Sequence, residues 1–492
     1  MVLSAGSWHE ERLLIDGRLV EAEGGATYPN INPANEEVIG VSADASVADV
    51  EQAIAAARRA FDETDWSRDV AARVAGLRQL HEALLDHQDD IADITVAEVG
   101  APRMLMGGPQ LGEPLKFLPF YADLAERYEF HEQLGEADTM AGRANRWVEK
   151  EPVGVVAAIT PWNYPNQINI AKVAPALAAG CTVVLKPAPD TPWTGLALGR
   201  LIAEHTDIPA GVVNVVTAQD KAIGEVLTNS PLVDMVSFTG STAVGRRIME
   251  AGSATIKRIF LELGGKSAQI VLDDVEDMGG AVIAAAFGVC THGGQGCATS
   301  TRLLLPRSRY DEGVEAAAAM IGSISYGDPE EPGNMTGAIV NRAQLQRMDG
   351  MVQKAIADGA RVVVGGGIAS QFDKGFYFQP TLLADVTNDM DIARDEVFGP
   401  VLVAIPYDDD ADAIRIANDS IFGLSGGVSG ADRERALHVA RRIRTGTMSV
   451  NGGLWYSPDV PFGGFKQSGL GREMGVAGFE EYLERRAMAE AV

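Results

Sequence analysis

Residues 153–188 read VGVVAAITPWNYPNQINIAKVAPALAAGCTVVLKPA. A short apolar run (153–160) is followed by an alanine-rich helical stretch that stops at Gly180, then by a second apolar run (181–188). Strand, helix and strand follow one another within 36 residues, the length of one crossover unit. The alternation continues outward: WTGLALGRLIAEH reads as helix, GVVNVVTA as strand, KAIGEVLTN as helix, VDMVSFTG as strand, STAVGRRIMEAG as helix and KRIFLELGG as strand. The strand runs are continuously apolar, as strands covered on both faces are, so the pattern predicts a parallel sheet with helices on both sides. A second alternating run, from about 265 to 450, includes KSAQIVLDD, STRLLLP, VLVAIPY and GTMSVNG and predicts a second α/β unit. Upstream, 46–62 reads as a helix with Ser46 and Asp49 as a capping box, and 68–100 reads as helix with apolar positions at three- and four-residue steps. The polar stretch 129–149, with strand-like ends, belongs to neither unit.

Length and composition narrow the function. The chain has 492 residues and a formal net charge of -27, which favours solubility and argues against a nucleic-acid partner. The start, MVLSAGSWHEERLLIDGRLV, has no basic segment leading into a long apolar one, and no uninterrupted apolar span suits a membrane. Three cysteines (Cys181, Cys290 and Cys297) make no disulfide framework, so a reducing, cytoplasmic setting is expected. Cys290 and Cys297 with His292 are the nearest approach to a metal set; their spacing does not match one, and no metal is expected.

Chemistry concentrates in a few loops. GGQGCATSTR (293–302) puts Cys297 among glycines and small polar residues, where a reacting partner can come close. A thiolate attacking a carbonyl creates an oxyanion that needs donors; Asn163 in TPWNYP, held between prolines, is a candidate, with a plain turn role as its alternative. Glu262 in LELGGK is a candidate base for activating water, or else a surface carboxylate. Gly240, Ser241 and Gly245 lie between a strand and a helix, where free N–H groups bind phosphate; an ordinary strand–helix turn is the other reading. Lys186 closes a strand at the edge where open sheets bind ligands, or is merely solvated.

TPWNYP, FTGSTAVG, LELGGKSA, GQGC, EVFGPV and PFGGFKQSGLGRE occur in one order along the chain, which thereby resembles the hydrolytic, NAD(P)-dependent aldehyde dehydrogenase superfamily from INPANEEVIG to its C-terminal segment. The resemblance implies two doubly wound, Rossmann-like α/β domains and a small β oligomerisation arm. Residues 1–128 and 150–262 would bind the cofactor, 263–465 would form the catalytic domain, and 129–149 with 478–492 the arm of a homodimer or homotetramer. It implies that Cys297 is the nucleophile, that Asn163 and the Cys297 N–H hold the oxyanion, that Glu262 is the base in deacylation, and that Lys172 assists positioning or proton relay. Thiolate would add to an aldehyde, hydride would pass to nicotinamide, and water would release the acid from the thioester. Ile159, Thr160, Trp162, Lys186, Gly240, Ser241, Val244 and Leu263 match cofactor-lining positions, and Glu396 and Phe398 match residues that place the nicotinamide ribose and ring.

Departures bear on specificity. Many NAD-preferring members have glutamate three residues after the strand-end lysine; here Pro189 stands there, with Asp190 beside it. NAD is the expected cofactor, and NADP stays open. Ala171, Gly296 and Ala298 are small, while Tyr164, Trp455 and Tyr456 supply aromatic walls, and no basic residue is placed for a substrate carboxylate. A medium or bulky hydrophobic aldehyde is therefore expected. The alternatives are a semialdehyde dehydrogenase and a catalytically silent binding member of the fold; CoA-acylating chemistry is disfavoured by Glu262.

Overall fold

The computed structural model describes residues 9–492; residues 1–8, on which part of the expectation about a leader rests, lie outside the described residues. The strand of the opening motif, Val155–Ile159, sits near the middle of an eight-stranded sheet. Thr182–Lys186 and then Val213–Val215 lie on one side of it, and Met235–Thr239 and then Arg258–Glu262 on the other, all parallel. Leu13–Ile15 with Arg18–Val20, and Gly469–Leu470, close the two edges antiparallel. Chain progress therefore reverses between Val155–Ile159 and Met235–Thr239. The loops leaving these two strands diverge and open a crevice at their C-terminal ends, where open α/β sheets bind ligands.

The opening motif folds as its residues dictate. Helix Pro165–Ala179 begins with proline, whose fixed φ suits a first turn, and ends at Gly180 with φ 99°. It is buried along nearly its whole length, as its alanine-rich composition allows. Helix Val47–Glu63 carries the Ser46–Asp49 capping box and packs on Thr182–Lys186, where the Thr182 hydroxyl donates to the Ala57 carbonyl at 3.0 Å. The stretch 68–100 is not one helix. It breaks at His87 into Val70–Asp86 and Gln88–Val99, because the polar run Asp86–Asp90 offers no apolar position to hold a single axis against the core.

Helix Pro192–His205 follows the loop that leaves Lys186, and its start is anchored by Glu98. The fully buried Glu98 carboxylate accepts the Trp193 and Thr194 backbone N–H groups and the Asn30 amide, each at 2.9 Å. Burial pushes its pKa up to about 7, against the pull of these donors. Glu98→Ala strands two buried helix-end N–H groups and should cost about 3 kcal/mol, read as a lower urea midpoint.

The second sheet has seven strands, ordered Arg361–Val364, Thr381–Ala384, Val401–Tyr407, Ser300–Pro306, Ser267–Val271, Gly426–Ser429 and Ser449–Val450, with only the first pair antiparallel. Both faces are dry: Ile270, Leu304, Val403 and Ile405 enter one cluster, and Val271, Leu303, Leu305, Leu402 and Ala404 the other. A third, antiparallel sheet joins His131–Thr139, Gly142–Pro152 and Leu483–Ala491. Helix Gly475–Glu480, just before the last of these strands, buries Phe479 in the core of the first sheet. Among the described residues no helix is long and apolar enough to cross a membrane.

Candidate active site

The Cys297 loop enters the second sheet immediately before Ser300–Pro306. His292, Gly293 and Gly294 all adopt φ between 51° and 65°. A Cβ on Gly294 would lie 2.2 Å from the Gly399 carbonyl oxygen, so only glycine fits there. Of the three cysteines, Cys181 and Cys290 are buried, with thiols pushed up to about 12 by burial. Cys297 is half-buried and lines a cavity of about 300 Å³ with Trp162, Asn163, Leu263, Gly264, Glu396 and Phe398. Burial first, then the charges of Glu262, Glu396 and Glu473, hold its thiol well above the ordinary range.

Asn163 is buried, and its side chain donates to the Gln295 carbonyl of the Cys297 loop at 2.8 Å. Its own main-chain carbonyl accepts from Gln110 Nε2 at 3.0 Å and bonds His292 Nε2 at 2.8 Å. Glu262 ends strand Arg258–Glu262, buried, with neither carboxylate oxygen hydrogen-bonded. Its pKa is well above the carboxylate range because of burial and then Glu473, with Lys172 and Arg472 pulling the other way. A Cβ on Gly463 would come within 2.6 Å of Glu262 Oε1, so the carboxylate rests on bare backbone. Lys172 is fully buried and donates to Glu473 Oε1 at 3.0 Å and to Ser237 Oγ at 3.3 Å.

A larger cavity, about 890 Å³, occupies the crevice between the diverging strands. Ile159, Thr160, Trp162, Lys186, Pro189, Asp190, Gly240 and Val244 line it, while Ser241, Leu263, Glu396 and Phe398 line the smaller one. Trp162 and Gly240 belong to both walls, so the crevice leads to the thiol. Ser241 caps helix Thr242–Gly252, and Gly245 lets that helix close on Leu263, whose methyl carbon would be 2.7 Å from any Cβ there. Lys186 is pushed down to about 8 by burial and by Lys221, with Asp220 opposing. The Asp190 carboxylate accepts from Asn341 Nδ2 at 2.9 Å.

Phe398 holds φ 57°, a strained conformation for an aromatic residue, with its ring edge-on to Trp162 at 5.3 Å. Helix Arg342–Ala357 holds this segment in place: Gln344 donates to the Val397 and Phe398 carbonyls, and Arg347 to those of Glu396 and Val397. Glu396 Oε1 accepts the Gly265 N–H at 2.9 Å, and burial raises its pKa to about 7. Sequence reasoning assigned no role to Gln344, Arg347 or Gln110. Glu473 is the last residue of PFGGFKQSGLGRE, so its signal was present without an assignment.

The comparisons with known proteins agree with this geometry. The model of the aldehyde dehydrogenase family matches residues 19–488. The chain belongs to the aldehyde dehydrogenase family. The 3-succinoylsemialdehyde-pyridine dehydrogenase of a Pseudomonas species is 41% identical to this aldehyde dehydrogenase over 96% of the chain and 97% of its own length. The crystal structure of an aldehyde dehydrogenase C mutant from Pseudomonas syringae, complexed with NAD+ and octanal, superposes with TM-score 0.92 at 38% identity over 99% of this chain and 97% of that one. A Mycobacterium tuberculosis aldehyde dehydrogenase complexed with NAD+ gives TM-score 0.93 at 39% identity, covering 97% of this chain and 98% of that one.

The six positions expected at the enzyme's substrate side fall in two groups. Ala298, Trp455 and Tyr456 are half-buried against the same apolar cluster as Cys297. Trp455 stacks on Phe462 at 5.4 Å, and Tyr456 meets Phe117 at 6.3 Å. A Cβ on Gly296 would sit 3.8 Å from the Tyr164 hydroxyl, which places Tyr164 over the Cys297 loop. Ala171, by contrast, is sealed in the core of the first sheet and lines neither cavity.

Proposed function

We propose that this chain oxidises an aldehyde to its carboxylic acid with NAD as cofactor, through a thioester on Cys297. The observation that carries the reading is the continuity of the two cavities, which leads from Lys186 and Pro189 past Trp162 to Cys297 and Asn163. The crevice suits a dinucleotide. Gly240 brings bare backbone to its wall, a Cβ there being 2.5 Å from the Phe238 ring, and Ser241 and Val244 present a helix N-terminus to a pyrophosphate. Lys186 and Glu396 would hold the two riboses, and Phe398 would back the nicotinamide. The NAD+ complexes of the two solved relatives support the same assignment.

Cys297 supplies the nucleophile and Asn163 the oxyanion donor. Losing one such donor costs about 10²–10³ in rate. A nicotinamide cofactor held by these residues would supply the hydride acceptor that the oxidation of the Cys297 thiohemiacetal to a thioester requires. Glu262 then takes a proton from the water that attacks the thioester, and Lys172 with Glu473 passes that proton on. Splitting the oxidation in this way lets each step use one poised group.

NADP is the second reading for the cofactor. Pro189 offers no carboxylate at the ribose, Asp190 is engaged by Asn341, and Lys221 lines the same cavity. The three-stranded sheet is proposed as the assembly arm of a homo-oligomer: Leu134 and Met140 are exposed on it, and His131–Thr139 is an open edge strand.

The proposed substrate is a medium or bulky hydrophobic aldehyde. Trp455, Tyr456, Phe117 and Tyr164 make the surroundings aromatic, and the carboxylates whose charge reaches Tyr456, Glu473 and then Glu113, disfavour a substrate carboxylate, although Glu113 is paired with Lys116. A semialdehyde, as in the name of the Pseudomonas relative, is the alternative. Initial rates of cofactor reduction with octanal, an aromatic aldehyde and succinic semialdehyde should rank octanal and the aromatic aldehyde at least about tenfold above the semialdehyde in kcat/KM, the worth of one unfavourable charge contact. The reverse ranking would overturn the substrate reading and leave the chemistry standing.

A further inference from the structure

Of the unmatched Cys290–His292–Cys297 set, the proposed chemistry uses only Cys297; Cys290 is a buried thiol, and His292 is the other residue without a role. It is fully buried in the nucleophile loop and adopts φ 51°, a costly conformation for a side chain with a Cβ. Its Nδ1 has no hydrogen-bond partner, a second cost that the fold retains. Its Nε2 makes one bond, to the Asn163 carbonyl at 2.8 Å, so Nε2 carries the proton. Burial lowers its pKa to about 4, so the ring is neutral, and its face packs edge-on to Tyr164 at 5.1 Å.

These contacts close a ring. The His292 side chain reaches Asn163 from the nucleophile loop, and the Asn163 side chain reaches back to the Gln295 carbonyl of the same loop. Gln295 is itself locked, donating to the His292 and Ala338 carbonyls and accepting the Val340 N–H. Gln110 adds a second donor to the Asn163 carbonyl from a separate segment. One amide N–H of Asn163 is engaged by Gln295, and Asn163 lines the same cavity as Cys297.

We propose that His292, with Gln110 as its second point of support, is a positioning residue that sets the Asn163 amide relative to the Cys297 loop, and so determines how well the oxyanion is held. This rests on the reading of Asn163 as the oxyanion donor. A neutral imidazole suits the task, because it donates one directed bond without adding a charge next to the thiol. Both costs at His292 have a function if the geometry they maintain is realised in the transition state.

The test is a double-mutant cycle on the full-length enzyme, read as kcat and KM for aldehyde and NAD+, with the thermal midpoint as control. Asn163→Ala alone should lower kcat about 10²–10³-fold. His292→Leu should lower kcat about 10–100-fold with KM for NAD+ within twofold, and Asn163→Ala added to it should cost less than about tenfold more, because the amide is already misplaced. His292→Gln, which restores a donor at the reach of Nε2, should recover most of the loss. Full additivity of the two losses, or a His292→Leu enzyme within twofold of wild type, overturns the proposal. If His292→Leu does not fold, the cycle with Gln110→Met is decisive in the same way, since it removes a donor from the same oxygen without touching the loop. A wild-type kcat for Asn163→Ala overturns the oxyanion reading itself and this proposal with it, whereas additive losses overturn the proposal alone.

Discussion

Cys297→Ala is expected to reduce aldehyde oxidation by about 10⁴–10⁶-fold, the scale on which an enzyme loses rate when its covalent nucleophile is removed. The substitution is mild structurally: Cys297 is half-buried, and alanine leaves only the volume of one sulfur on a cavity wall that is already open. Binding of NAD+, followed by fluorescence or calorimetry, should therefore be kept, so lost turnover with kept binding isolates the chemistry. The buried Cys181 and Cys290 serve as controls, and their alanine variants should affect stability more than rate. The same assignment has a pH signature. Burial and three carboxylates raise the Cys297 thiol, so its neutral form dominates at neutral pH and the thiolate grows as pH rises. Alkylation of Cys297 by iodoacetamide should accelerate toward alkaline pH in the apoenzyme. A cationic nicotinamide ring bound nearby favours the thiolate and should move that rise to lower pH. An alkylation rate flat from pH 6 to 9 would contradict the raised thiol.

Glu262→Gln is expected to separate the two half-reactions. In the proposed mechanism acylation does not use this base, so one equivalent of reduced cofactor per active site should still form in a burst. The proposed deacylation does use it, and the steady rate should fall about 10²–10⁴-fold. Quenched-flow absorbance measures both phases, and mass spectrometry should find the acyl group on the Cys297 peptide. Wild-type turnover should show an acid limb whose direction follows from the raised pKa of Glu262: the carboxyl is protonated at low pH, and the rate should rise as pH passes through its titration. The glutamine variant should lose that limb. A variant that has lost its burst to the same degree as its steady rate would move Glu262 from deacylation to an earlier step.

The parallel order of strand and helix, the glycine stop at Gly180, the Ser46 cap and the placing of Cys297, Asn163 and Glu262 in loops at strand ends were all legible in the sequence, because each depends on residues a few positions apart. The same is true of family membership, which rests on six short motifs in order. The break at His87 was not legible: the spacing of apolar residues is compatible with one helix or two, and packing chose between them. Ala171 shows the same limit, since its small side chain suggested an open channel and the fold seals it in the core.

What surrounds the reacting groups came from the tertiary structure alone. The partner of Lys172 lies 301 residues away at Glu473, and the Asn163 carbonyl is bonded by His292 129 residues downstream and by Gln110 53 residues upstream. The strained Phe398 segment is held by Gln344 and Arg347 through its backbone carbonyls, so the identity of the residues that carry those carbonyls leaves no trace in the pattern. Local sequence determined which chemical groups this protein has and on which loops they stand. Their protonation, their distances and the support that holds them depend on burial and on contacts between distant segments, and these exist only once the chain has folded.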